Sequence, residues 1–191
     1  MKDRVAEHSI DTIFIKRHSA RAMSGEKITH DELMSLFEAA RWAPSSYNNQ
    51  PWQLVYAVRE TPAWDNFFNV LVPANQSWAV NGAVLIMVAS RNNFEFNNKP
   101  SRTHSFDTGA AMENLALQGS LMGLVVHGME GFDYDKARQV AHLPDDYTVE
   151  AMFVVGRPGN ITNLPIDLQT REELSDRKKI EEFIFEGIFN K

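Results

Sequence analysis

The 191-residue sequence predicts a single α+β layer domain. Three observations point there. Residues 83–89 (Ala-Val-Leu-Ile-Met-Val-Ala) are an unbroken apolar run of strand length, the pattern of a central strand covered on both faces. Two segments, one after Thr29 and one at 107–124, carry apolar residues at helical spacing. Helices and strands alternate unevenly, with no internal repeat, low-complexity tract or linker to divide residues 1–191 into two domains.

Each element follows from local chemistry. Residues 11–16 read as a short opening helix, followed by a polar stretch at 17–27. Thr29 and Glu32 form a capping-box pattern, and Leu33, Leu36, Phe37 and Ala40 then recur at helical spacing. Pro44 ends that helix, because the residue before a proline avoids helical geometry. Residues 53–58 favour a strand, and 62–72 a helix with an aromatic face. Residues 91–102 hold four Asn and read as an exposed excursion. In the helix at 107–124, Gly119 and Gly123 lie four apart and leave one face open to close approach. A strand at 125–127, a glycine-bounded turn at 128–131, a helix at 133–143 and a strand at 150–155 complete the core. The charged stretch 167–182 and the apolar tail 183–189 have nothing of their own to pack on, so they are expected to lie on another surface, such as a second subunit.

Composition bounds the function. Hydrophobic residues make up 43% of the chain, which excludes disorder as its main state. The formal charge of −6 argues against a general nucleic-acid binder. With no cysteine, disulfides, thiolate metal sites and cysteine nucleophiles are excluded. No apolar run approaches membrane-helix length and residues 1–7 hold no apolar signal core, so the chain reads as soluble and cytoplasmic, with no membrane partner.

Three constellations carry chemistry. Arg17-His18-Ser19-Ala20-Arg21 places two guanidinium forks and a hydroxyl within five residues, a donor set that suits a phosphate. A solvated basic loop would look the same. Residues 44–52, Pro-Ser-Ser-Tyr-Asn-Asn-Gln-Pro-Trp, form a stiffened loop of amides and hydroxyls able to read the edge of a planar heterocycle, or an ordinary helix-to-strand connection. In residues 127–132, glycines flank Met129-Glu130 so that the backbone can approach a ligand closely, or simply turn.

Together, in this order, the three resemble the FMN-dependent nitroreductase family over about residues 15–177. The carrying motifs are Arg17-His18-Ser19-x-Arg21, Pro44-Ser45-Ser46-x-Asn48-x-Gln50-Pro51-Trp52 and Met129-Glu130-Gly131-Phe132. The resemblance implies a three-layer fold, a central, mostly antiparallel sheet flanked by helices. It implies a homodimer with FMN at its interface, in which residues 163–191 form an arm wrapping the partner and the Gly119/Gly123 face packs closely. By the same resemblance Arg17, Ser19 and Arg21 would hold the phosphate and ribityl chain with His18 beside them. Pro44, Ser45, Ser46 and Asn48 would come from the partner, and Asn75 would bond the pyrimidine edge. Met129, Glu130 and Gly131 would lie under the flavin, and Arg177 would reach the phosphate, although Ser175 stands where many members have a second base. Phe94 and Phe96 fall where the family often gates its substrate. The implied activity is ping-pong hydride transfer from NAD(P)H through FMN to a small planar acceptor, a nitroaromatic, quinone or enone, with no dedicated acid–base side chain.

Rival readings stay open at this point. A hydrolase would use Ser45 or Ser46 with His127 or His104 and Asp107, but no G-x-S-x-G elbow is present. Six scattered histidines lack metal-ligand spacing, and no G-x-G-x-x-G marks a Rossmann domain. The alternative within the resemblance is an FMN-binding or sensor module without turnover.

Overall fold

The computed structural model describes residues 4–189; Met1 to Asp3, Asn190 and Lys191, at the two ends of the expected domain and arm, lie outside the described residues. Four strands form one sheet in the order β1 (Trp52–Val58), β2 (Val84–Arg91), β4 (Tyr147–Gly156), β3 (Val125–Met129), with every neighbouring pair antiparallel. Seven α-helices surround it among the described residues: α1 (Thr12–Lys16), α2 (His30–Arg41), α3 (Pro62–Phe68), α4 (Pro73–Ala79), α5 (His104–Leu121), α6 (Tyr134–Val140) and α7 (Ile166–Gln169).

The central position of β2 follows from the unbroken apolar run Val84–Ala89, whose side chains alternate between its two faces. Leu85 and Met87 enter one core with Trp64 and Phe67 of α3, Trp78 of α4 and Met152 of β4. Val84, Ile86 and Val88 enter a second with Leu33 and Leu36 of α2 and Ala111 and Leu115 of α5. One strand thus serves two hydrophobic layers, which makes the molecule a three-layer α+β fold. The expected capping box is present: Glu32 N–H donates to Thr29 Oγ1 at 3.1 Å, and Thr29 N–H returns to Glu32 Oε2 at 2.7 Å.

The structure revises several expected elements. The helix expected at 62–72 is two helices. The first ends at Phe68, Leu71 bridges to Phe132, and Pro73 starts α4 at a helix N-terminus, where a missing N–H costs nothing. Residue 128 belongs to a strand, since β3 continues to Met129 opposite Met152. The Gly119 face serves its own chain: a Cβ there would stand 2.4 Å from Val126 Cγ2. Gly123 sits beyond the end of α5 at φ +70°, where it closes the helix as Leu124 N–H bonds the Gly119 carbonyl at 2.8 Å. At the head of the expected arm, Leu164 and Leu168 are buried in this chain's own core. Further on, Phe183, Ile184, Ile188 and Phe189 are exposed. Among the described residues no helix is long and apolar enough to cross a membrane.

Candidate functional site

Arg17 lies at the C-terminal cap of α1, which directs its side chain away from the helix toward Ser19 and α5. Its Nη1 donates to Ser19 Oγ at 3.4 Å, and its Nε is 3.7 Å from Glu113 Oε1. A second arginine joins it from the N-terminal segment. Arg4 donates to the carbonyls of Ile15 and Arg17 at 3.0 Å each, and to the Ser175 carbonyl at 2.9 Å. Arg177 donates to the Ser175 hydroxyl at 3.1 Å, so the chain termini bring a third guanidinium to the same place. Burial first, then the like charges of Arg177 and Arg17, hold the Arg4 guanidinium below its ordinary pKa. Such a cluster of positive charge and hydroxyls has the chemistry to hold an anion. Arg4 was not found by sequence reasoning, because a lone arginine ten or more residues from a motif carries no local signal.

Two members of the motif are otherwise engaged. Arg21 Nη1 lies 3.6 Å from Glu172 Oε2, and Glu172 Oε1 accepts the backbone N–H groups of Arg21 and Ala22 at 2.5 and 2.8 Å. This contact pins the C-terminal segment to the motif. The His18 ring is 3.3 Å from the Lys16 carbonyl.

Beside Arg17 and Ser19 a cavity of about 480 Å³ opens between α5 and the strip of sheet formed by β3 and β4. Ser105, Thr108, Gly128 and Glu150 are in its wall. Thr108 is 1% exposed, yet its Oγ1 has no hydrogen-bond partner. A buried orphan hydroxyl on a cavity wall is a costly feature unless a ligand satisfies it.

Met129 is buried at the end of β3, and the chain then passes through Glu130 to Gly131. The Gly131 carbonyl accepts from the Val72 N–H at 3.1 Å and from Asn75 Nδ2 at 2.9 Å. A Cβ at 131 would stand 2.7 Å from that amide, so any other residue here must displace Asn75. Among the described residues, no loop or turn bond uses the N–H groups of Glu130 or Gly131. Asn75 lies in the first turn of α4.

The Pro44–Pro51 loop stands apart from this cavity. Tyr47, Asn48 and Gln50 adopt φ of 53°, 52° and 47°, a tight winding held by Gln50 N–H on Ser45 Oγ at 3.0 Å. The Ser46 N–H donates to Asp107 Oδ2 at 3.0 Å, at the start of α5. Asn48 and Tyr47 line a separate cavity of about 400 Å³ with Glu95 and Phe96. Phe94 and Phe96 meet Tyr47 with ring centroids 5.5 and 6.0 Å away. The hydrolase trio does not assemble: Asp107 holds Ser46 and Thr103, while His127 bonds the Ala20 carbonyl at 2.9 Å against Trp78.

The structure is thus an antiparallel sheet between two helical layers, an α+β protein with arginines and hydroxyls gathered beside a cavity. The sequence profile described as the Nitroreductase family matches residues 15–63 and 57–157, and the chain belongs to that family. A solved structure described as an oxidoreductase containing FMN is 39% identical, covers 98% of this chain and 96% of its own, and superposes with a TM-score of 0.94. Protein DrgA of Synechocystis sp. is 25% identical over 178 residues, covering 78% of this chain and 83% of that protein. The protein of Rhodopseudomonas palustris named "Putative NADH dehydrogenase/NAD(P)H nitroreductase" is 24% identical over 156 residues, covering 70% of this chain and 77% of that one.

Proposed function

We propose that this chain is an FMN-dependent oxidoreductase that takes hydride from NAD(P)H and passes it, in a ping-pong cycle, to a small planar electrophile, a nitroaromatic, quinone or enone. One observation carries the reading: Arg4, Arg17 and Arg177 converge with Ser19 and Ser175 beside a cavity whose wall holds the unpartnered Thr108 hydroxyl. FMN fits both features. A phosphate relieves the mutual repulsion of three guanidiniums, and a polyhydroxyl chain offers partners to a buried hydroxyl. The family and the likeness to an FMN-containing oxidoreductase support the same cofactor.

Arg17, Ser19 and Arg177, aided by Arg4, are then the phosphate ligands, and His18 and Arg21 shape the loop that presents them. The free N–H groups of Glu130 and Gly131, with Asn75 behind them and Met129 beneath, are the donors for the ring. When bound, FMN supplies the two-electron chemistry. The chain's own residues hold the cofactor, keep water from it and set positive and N–H dipoles where negative charge develops.

Pro44, Ser45, Ser46 and Asn48 complete the site from a second copy. Their separation from the arginine cavity supports a homodimer, as does the exposure of Phe106 (80%) and Leu121 (69%) on α5. In that dimer the exposed end of the arm, Phe183, Ile184, Ile188 and Phe189, covers the partner, because Ser175 and Ile180, like Glu172, are still tied to their own chain. Phe94, Phe96 and Tyr47 form an aromatic surface on which a planar acceptor stacks. NAD(P)H, the acceptor and a second copy are the partners, and the cytoplasm is the compartment.

The test is anaerobic reduction. Purified protein supplied with FMN is expected to be yellow, to bleach with NADH or NADPH, and to regain colour with a quinone or nitroaromatic. A yellow protein that neither nicotinamide bleaches is a flavin-binding module without turnover, and a protein that takes up no FMN overturns the reading altogether.

A further inference from the structure

The sheet is irregular where β2 meets β4. The β2–β4 register pairs Val88 with Ala151 and Ala89 with Val149, so Glu150 is the extra residue of a β-bulge. A bulge places two consecutive side chains on one face. Here it turns both Glu150 and Ala151 toward the 480 Å³ cavity, while Val149 and Met152 stay in the opposite core.

Glu150 Oε1 then collects three neighbours. It accepts from the hydroxyl of Ser90, which is fully buried, and from Ser105 Oγ at 2.7 Å. His104 Nδ1 is 2.7 Å from Ser90 Oγ and 3.6 Å from Glu150 Oε1. A serine has one proton. With Ser90 donating to Glu150, the Ser90–His104 bond requires the imidazole to donate from Nδ1–H. The result is a directed chain, His104 Nδ1–H to Ser90 Oγ–H to Glu150, that begins at a side chain 22% exposed and ends on the cavity wall. Around it stand Arg91, engaged with Asp146 and Glu95, Asp107, engaged with Ser46 and Thr103, and the Arg17–Glu113 pair. Glu130 and Glu150 both hold the Tyr134 hydroxyl above its ordinary pKa after burial does, which puts Glu130, at the ring end of the proposed site, in the same field.

We infer that His104, Ser90 and Glu150 form a proton relay that supplies the proton accompanying hydride delivery to the acceptor. This rests on the oxidoreductase reading above. An acceptor that receives a hydride on one atom needs a proton on its oxygen. Glu150 rests as the carboxylate that accepts from Ser90 and Ser105. The His104 Nδ1–H bond breaks as Ser90 takes that proton and passes its own to Glu150; the Glu150 O–H so formed breaks in turn as the acceptor O–H forms, and the exposed ring regains one proton from solvent acid. Electrons come only from the nicotinamide. The serine between the two titratable groups distinguishes a relay from a plain ion pair, which needs no intermediate hydroxyl.

The experiment compares wild type with Glu150→Gln, which keeps the volume and removes the acid, and with His104→Gln. Enzyme reduced anaerobically by the nicotinamide is mixed with a quinone, which needs a proton, or with ferricyanide, which does not. Glu150→Gln is expected to slow quinone-driven reoxidation at least tenfold, leaving the ferricyanide rate and FMN affinity within twofold. His104→Gln is expected to slow only the quinone arm. In the flavin-free protein, ring-nitrogen NMR is expected to show His104 carrying its proton on Nδ1 in a hydrogen bond, a signature lost in Ser90→Ala. Equal slowing of both acceptors, or a His104 Nδ1 that carries no hydrogen-bonded proton, overturns the relay. Should Glu150→Gln fail to fold, His104→Gln decides. Wild type that is not bleached by nicotinamide fails the parent reading instead, a different outcome.

Discussion

The side-chain amide of Asn75 donates to the carbonyl of Gly131 at 2.9 Å, joining the first turn of α4 to the segment after β3 across 56 positions of sequence. The Asn75 and Val72 bonds fix the plane of the Gly131–Phe132 peptide, and the Phe132 N–H on the Glu130 carbonyl at 2.9 Å fixes the adjoining plane, which carries the Gly131 N–H.

Asn75→Ala is therefore expected to cost about 1 kcal/mol of stability, the worth of one such bond, read as a lower urea midpoint. Gly131→Ala is expected to cost more, since its Cβ would meet Asn75 Nδ2 at 2.7 Å and Val72 Cγ2 at 3.0 Å. A Gly131→Ala protein as stable as wild type would show that α4 yields easily.

Removing Arg17 is expected to weaken FMN at least tenfold, about 1.4 kcal/mol, while riboflavin, which lacks the phosphate, binds unchanged. Fluorescence titration with both flavins checks this, and equal losses for the two would remove the phosphate assignment. Arg21→Glu is expected to lose stability as well as FMN affinity, because it sets a carboxylate against Glu172.

His127 gives a pH dependence with a definite sign. Burial is the largest influence on it and holds its pKa below the ordinary value, outweighing the bond to the Ala20 carbonyl. The unfolded chain binds a proton that the folded one refuses, so stability is full above about pH 6.5 and falls as pH drops below it. The slope approaches 1.4 kcal/mol per pH unit for one proton. Urea midpoints from pH 7.5 to 5 test it, and His127→Gln should remove this component of the slope.

Gly119→Ala is expected to destabilise by about 1–3 kcal/mol despite the helix propensity of alanine, because its Cβ would stand 2.4 Å from Val126 Cγ2. For a chain of this size that is a fall in Tm of several degrees, measured by thermal melting.

The flavin-loaded protein is expected to sediment as a dimer, and Phe106→Asp, a charge on an 80% exposed aromatic of α5, to shift it toward monomer with loss of flavin. A monomeric wild type that keeps its flavin would contradict the shared site.

What could be read along the chain was whatever local chemistry decides. The Thr29–Glu32 capping box lies within four residues, and the apolar run at 83–89 tells its strand to bury both faces. The Arg17–Arg21 motif offered a donor set suited to a phosphate because its members are adjacent. The break at Leu71–Pro73 was missed, since the helix is ended by a long-range bridge to Phe132 rather than by a strong local signal. Arg4 meets Ser175 across 171 positions, and Ser90 meets Glu150 across 60. Neither pair has any spacing to recognise, and the bulge that aims Glu150 exists only in the register between two strands. Short-range preferences therefore wrote the elements and the motifs into the sequence. Tertiary structure decided which distant polar groups share one cavity, because burial and strand register, not chain proximity, set where a side chain ends.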